Sequence, residues 1–161
     1  MMELYLMRHG IAEETAVGGR DAERALTAEG RKRLKEVLRT AAKAGVAPGL
    51  ILTSPYRRAR ETAEMAASEL GYKGEIVETG ALVPYAHVQE MWEEVRVHKG
   101  ESSLLVASHE PLMGQAAGFI VNSPGLRIDV KKGSMLRIDV EGFGSQPVGV
   151  LKWYLTPRLA S

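Results

Sequence analysis

Leu104-Leu105-Val106-Ala107-Ser108-His109-Glu110-Pro111 is the stretch whose reading decides the fold. Four apolar residues in a row read as a strand buried on both faces, and Pro111, tolerated in a first helical turn, opens a helix directly after it. The same pattern recurs upstream. Leu4-Tyr5-Leu6-Met7 is a short apolar run stopped by Gly10; Leu50-Ile51-Leu52 is another, stopped by Ser54-Pro55; Ile76-Val77 is a weaker one. Helices are predicted between them. Leu34, Val37, Leu38, Ala41 and Ala42 recur at helical spacing behind the N-cap candidate Thr27, and Gly45 and Pro48 end that helix. Ala59, Ala63, Ala66, Ala67 and Leu70 mark a second helix closed by Gly71, and Val88, Met91, Trp92 and Val95 a third. The helix opened by Pro111 runs to about Val121. Residues 11–26 read as a loop, and Met135–Val140 and Val148–Leu155 as closing strands joined by a glycine-rich turn around Gly142 and Gly144. Continuous apolar strands alternating with helices predict one domain over residues 1–161: a three-layer α/β/α sandwich with a mostly parallel sheet.

The bulk composition narrows the chemistry. The chain has 161 residues, 45% hydrophobic and 25% charged, enough for one buried core. A net charge of +1 argues against a dedicated nucleic-acid binder. With no cysteine there is no disulfide framework, no thiol nucleophile and no Cys-ligated zinc. The N-terminal segment is too short and too soon charged for a secretory signal, and no apolar run is long enough to span a bilayer, so no membrane association and a cytoplasmic location are expected.

In open α/β sheets, ligands bind beyond the carboxyl ends of the strands. Three strands here end in reactive residues: Arg8-His9-Gly10, then Ser54-Pro55-Tyr56-Arg57-Arg58-Ala59-Arg60-Glu61-Thr62, then Ser108-His109-Glu110-Pro111. Brought to one edge, they form a dense positive site in a nearly neutral protein. Phosphoryl transfer requires this: arginine forks match the charged equatorial oxygens, and a neutral imidazole is a competent nucleophile. Gly10 would let the backbone approach a phosphate.

At these residues the chain resembles the histidine phosphatase superfamily (phosphoglycerate mutase-like), and is most similar to the small phosphohistidine phosphatases of the SixA type. The motifs follow in order: Arg8-His9-Gly10; Asp21 to Arg24 with Leu26-Thr27 and Gly30; Ser54-Pro55 with Arg58-Ala59 and Thr62; Ser108-His109 with Pro111. The resemblance implies that His9 is the phosphorylated nucleophile, that Arg8 and Arg58 bind the phosphoryl oxygens, and that His109, in its charged form, completes the pocket. It implies no metal and no organic cofactor. One place departs from the family pattern: where many members carry a carboxylate acid for the leaving group, this chain has His87, an acid/base candidate by its ordinary pKa, with Glu78 and Glu90 as further groups that could approach.

A short chain with little room for a lid, Thr79 to His87 being the only candidate, suits a phosphohistidine-bearing protein as substrate. A small phosphorylated metabolite, handled by a phosphomonoesterase or mutase on the same scaffold, is the alternative, and a phosphate-binding module without catalysis is a third. Other conspicuous residues have simpler readings. Arg57 and Arg60 lie off the helix face of Arg58 and read as surface. Arg31, Lys32, Arg33 and Lys35 are interleaved with Glu29 and Glu36 on a solvated face. His98 suits a helix C-terminus. The four histidines lack the i, i+4 spacing of a helical metal site, and no phosphate loop ending in Gly-Lys-Ser/Thr occurs.

Overall fold

In the computed structural model, which describes residues 1–16 and 18–161, the decisive stretch is strand β4 (Ser103–Ser108), buried at every position. It is one of six strands: β1 (Met2–Arg8), β2 (Leu50–Thr53), β3 (Ile76–Glu78), β4, β5 (Met135–Phe143) and β6 (Pro147–Leu155). They form a single sheet in the order β3-β2-β4-β1-β5-β6. The first four strands are mutually parallel, with Leu6 opposite Val106 and Leu52 opposite Val106 in the register. β5 returns antiparallel to β1, and β6 antiparallel to β5.

Side chains alternate across a strand, so an unbroken apolar run serves two cores at once. Leu4, Leu6, Leu52, Leu104 and Val106 face helices α3 (Val88–Val97) and α4 (Leu112–Ile120). Tyr5, Met7, Ile51, Leu105 and Ala107 face α1 (Ala28–Lys43) and α2 (Arg57–Leu70). In α1, Leu34, Val37 and Leu38 are wholly buried, each worth roughly 1.5–3 kcal/mol of burial. Thr27 caps that helix, its Oγ1 accepting from the Gly30 amide at 3.0 Å. No helix of the described residues is long and apolar enough to cross a membrane.

Several details depart from the periodic reading. Ala42 is exposed, because the apolar stripe of α1 ends at Ala41. Gly142 lies inside β5, beside a register shift after Val140, so the turn is carried by residues 144–146. Three-residue 3-10 turns at Asp21–Glu23 and Gly80–Leu82, and the short helix α5 (Pro157–Ala160), occupy segments too short to show a period. The ladder continues past the strands: the His9 amide donates to Ser108 O at 2.9 Å and the Ser54 amide to Ala107 O at 3.0 Å. The residues after β1, β2 and β4 are thereby fixed as neighbours.

Candidate active site

His9, Arg58 and His109 are brought together at this edge, respectively 6%, 5% and 2% exposed. His9 follows β1 and is held from two sides. Its Nδ1 lies 2.7 Å from Gly10 O, which can only accept, so the ring proton sits on Nδ1. Its Nε2, left with a lone pair, accepts from Arg58 Nε at 3.3 Å. Burial, with the positive charges of Arg58, Arg8 and Lys132 adding to it, pushes the His9 pKa down to about 3, so the ring is neutral near pH 7. Neutral, one tautomer, lone pair against a guanidinium: this is a nitrogen able to attack an electrophile that also carries negative charge.

Arg58 is placed by the first turn of α2, and its other two nitrogens are held by Asp21: Nη1 donates to Asp21 O at 2.9 Å and Nη2 to Oδ2 at 3.2 Å. Asp21 also receives Arg24 Nη1 at 2.9 Å, and that hydrogen bond with the charge of Arg58 holds its carboxyl below the usual range. One turn after Arg58, Thr62 Oγ1 donates to Arg58 O at 2.7 Å and accepts from the Gly10 amide at 3.2 Å, tying α2 to the loop that carries His9. The amide of Gly10 is therefore committed to Thr62. The need for glycine is steric: a Cβ there would stand 2.7 Å from Leu34 Cδ1. The expected close approach is thus to helix α1.

His109 lies against His9, ring centroids 5.0 Å apart and edge to face, with Tyr56 packed on it at 5.3 Å. Its Nε2 is 2.9 Å from Ser54 Oγ. That hydroxyl already accepts from the Tyr56 amide; when it gives its hydrogen to His109 Nε2, the ring proton sits on Nδ1, an atom buried without a partner among the described residues. The expectation of a charged His109 is corrected here: burial, then its neighbours His9 and Arg58, push its pKa down to about 3. Tyr56 also lies beneath Arg58, whose Cζ is 5.1 Å from the ring centroid.

Arg8, the last residue of β1, sends Nη1 to Val130 O at 2.7 Å, while its Nε is buried without a partner among the described residues. His87 stands apart. It is the exposed N-cap residue of α3, its amide bonded to Glu90 Oε1 at 3.1 Å, and no hydrogen bond or ring contact joins it to the cluster among the described residues. Glu90 is occupied by that cap, and Glu78 pairs with Arg60 at 3.3 Å. Arg57 pairs with Glu61, as a surface residue would. The grip of Asp21 on Arg58, the Tyr56 packing and the loop contact at Val130 lie outside what spacing alone reveals; of Asp21, Tyr56 and Val130, only Asp21 stands in a motif.

The sequence model of the histidine phosphatase superfamily (branch 1) matches residues 4–83. The chain is 36% identical over 127 residues to a phosphohistidine phosphatase SixA homolog of Haemophilus influenzae, covering 71% of this chain and 74% of that protein. It is 35% identical over 141 residues to an uncharacterised protein of Picosynechococcus sp., covering 84% and 83%. Among solved structures, the protein histidine phosphatase SixA complexed with tungstate shares the fold, with a TM-score of 0.85 at 23% identity over 98% of both chains. The matched region holds three of the four motifs, those around His9, Asp21 and Arg58, and the relatives extend over most of the chain: it belongs to the histidine phosphatase superfamily.

Proposed function

We propose that the chain is a metal-independent phosphatase that removes the phosphoryl group from phosphohistidine on a partner protein by way of a phosphorylated His9. The observation that carries this is the state of His9: a neutral ring, proton fixed on Nδ1, lone pair on Nε2 beside Arg58. In the first step the Nε2–P bond forms as the substrate P–N bond breaks, and the departing imidazole keeps the electron pair and takes a proton at nitrogen. Positive charge arising on the His9 ring is stabilised by the Nδ1–H bond to Gly10 O. Arg58 follows the phosphoryl oxygens, and Arg8 Nε and His109 Nδ1, both without a partner among the described residues, are the groups an anion would satisfy, His109 as a donor in its Nδ1–H tautomer. Water then attacks phosphorus, inorganic phosphate leaves, and the electron pair returns to Nε2. Among the described residues, no three His, Asp or Glu side chains are grouped to hold a metal ion, and the steps need none.

The leaving group favours phosphohistidine over a phosphomonoester. An imidazole can be protonated by solvent, whereas an alkoxide needs an acid beside it. His87, Glu78 and Glu90, the acids considered for that task, all lie outside the cluster or are engaged elsewhere. The relative named as a phosphohistidine phosphatase SixA homolog supports the same reading. The test is phosphate release, with a chelator present, from a phosphohistidine-bearing protein and from small phosphomonoesters. Release that is faster from the protein and disappears in His9→Ala is expected, with an acid-labile phosphoenzyme in the wild type alone. Equal turnover in His9→Ala would overturn the assignment of the nucleophile, and faster turnover of the monoesters would overturn the substrate.

A further inference from the structure

The positive charge of this chain is unevenly placed. Beside Arg8 opens a cavity of about 620 Å³ lined by Arg8, Arg33, Lys131, Lys132 and Arg158, with Asp129 as its one acidic residue. Asp129 is neutralised by Lys131 at 2.7 Å, and Arg33 pairs along α1 with Glu29 at 2.8 Å. Arg8, Lys132 and Arg158 have no acidic partner within 4.0 Å among the described residues. Cations without a salt bridge around a concavity do not help to hold α1, α5 and the loop before β5 together; they repel one another, and only Arg8 feels nearby acids, Glu110 and Asp129, beyond pairing distance.

The cavity is built onto the catalytic edge. The Gly133 amide donates to both Arg8 O at 3.1 Å and His9 O at 3.0 Å, and the Lys131 amide donates to Tyr154 Oη at 2.8 Å. Gly133 reaches this position with φ +78, a conformation that favours glycine. The segment carrying Lys131 and Lys132 is thus pinned to the backbone of the nucleophile, and Arg8 is shared between the two sites. Arg8, which lines the cavity, is the residue next to His9 in the chain.

We infer that this cavity is a subsite for carboxylate side chains flanking the phosphohistidine of the partner protein. The inference rests on the substrate proposed above. Its occupant is an acidic peptide segment: the cavity is too large for one phosphate, and its three cations without a salt bridge are spread over three segments of the chain. Carboxylates placed along an extended segment would meet Arg8, Lys132 and Arg158 separately, and opposed charge raises both encounter rate and selectivity.

Two phosphohistidine peptides of one sequence, flanked by glutamate in one and glutamine in the other, test it. Wild type should prefer the glutamate peptide by about tenfold in kcat/KM at low ionic strength, through KM, and less as salt screens the contact. Lys132→Glu/Arg158→Glu should invert that preference, and Lys132→Gln/Arg158→Gln should erase it. The ratio between the peptides is the readout, so a variant that merely folds poorly, losing both alike, would leave the decision to the glutamine pair. No preference in the wild type, or one that survives both variants, would overturn the inference. If neither peptide is turned over, the substrate reading fails by itself. The subsite is then judged by the unphosphorylated glutamate peptide as a competitive inhibitor of p-nitrophenyl phosphate hydrolysis. Inhibition that the charge-reversed variant escapes supports it, and absence of inhibition overturns it.

Discussion

At the scale of single residues, the site is a set of groups whose protonation is set by where they are buried. His9 and His109 are both pushed from the ordinary histidine value down to about 3, chiefly by burial. Between those values the unfolded chain binds protons that the folded chain refuses, so stability rises with pH across that window. The contribution is intact above about pH 6.5 and is lost as pH falls from there toward 3. The urea midpoint is therefore expected to drop between pH 7 and pH 4, and to drop less in His109→Gln; an equal drop in the variant would contradict the burial argument. Arg58 gives a second expectation. Lysine cannot reproduce its fork between His9 and Asp21, so Arg58→Lys should lower kcat/KM by roughly 100-fold, the scale of one lost transition-state donor. Asp21→Asn keeps the carbonyl contact, and its exposed side chain contributes little to stability. The expected result is a loss of several-fold in kcat/KM with a melting temperature close to wild type.

At the scale of elements, the setting of His9 depends on how α1 and α2 meet the end of β1. Leu34 of α1 fills the space that a side chain at residue 10 would need, and Thr62 of α2 satisfies the Gly10 amide. Gly10→Ala should destabilise the protein by about 1–3 kcal/mol through overpacking. In a double-mutant cycle, Leu34→Ala should be less harmful when combined with Gly10→Ala than when made in the wild type, because the two changes relieve each other. Additive effects in denaturant titrations would show that the contact is not shared. The parallel strands were legible as unbroken apolar runs and the four main helices by their period; His9 and His109, directly after strands, and Arg58, in the first turn of α2, were legible as candidates. The loop before β5 was not: Leu126-Arg127-Ile128-Asp129-Val130 alternates as a strand would yet lies outside the sheet, and the loop's contacts with Arg8 and His9 are made by backbone amides and carbonyls that any sequence carries. Asp21 was visible in its motif, but a hold on Arg58 across 37 positions is set by the closing of the sheet. His87 was legible as a histidine near the right strand; only the start of α3 shows it turned into a cap.

At the scale of the whole molecule, two cores back a single sheet, and each contains or borders one tryptophan. Trp92 is buried beneath α3 against Phe143, and Trp153 packs near Tyr5 on the opposite face. Because the strands serve both faces, neither core can open without exposing the other. Urea unfolding followed through Trp92 alone, in Trp153→Phe, should therefore share its midpoint with the far-ultraviolet signal of the same variant. Separated midpoints would mean that the faces unfold independently. The same architecture sorts the chain's four histidines into two chemical populations. His87 is open to solvent and His98 partly so, while His9 and His109 lie under the sheet edge, and the lone pair of His9 is covered by Arg58. An uncharged acylating reagent such as diethyl pyrocarbonate would exhaust the outer pair first, having no means to draw the guanidinium aside. A phosphoryl group has that means in its own charge, so the guanidinium sheathes Nε2 of His9 against uncharged electrophiles and would yield to an anion.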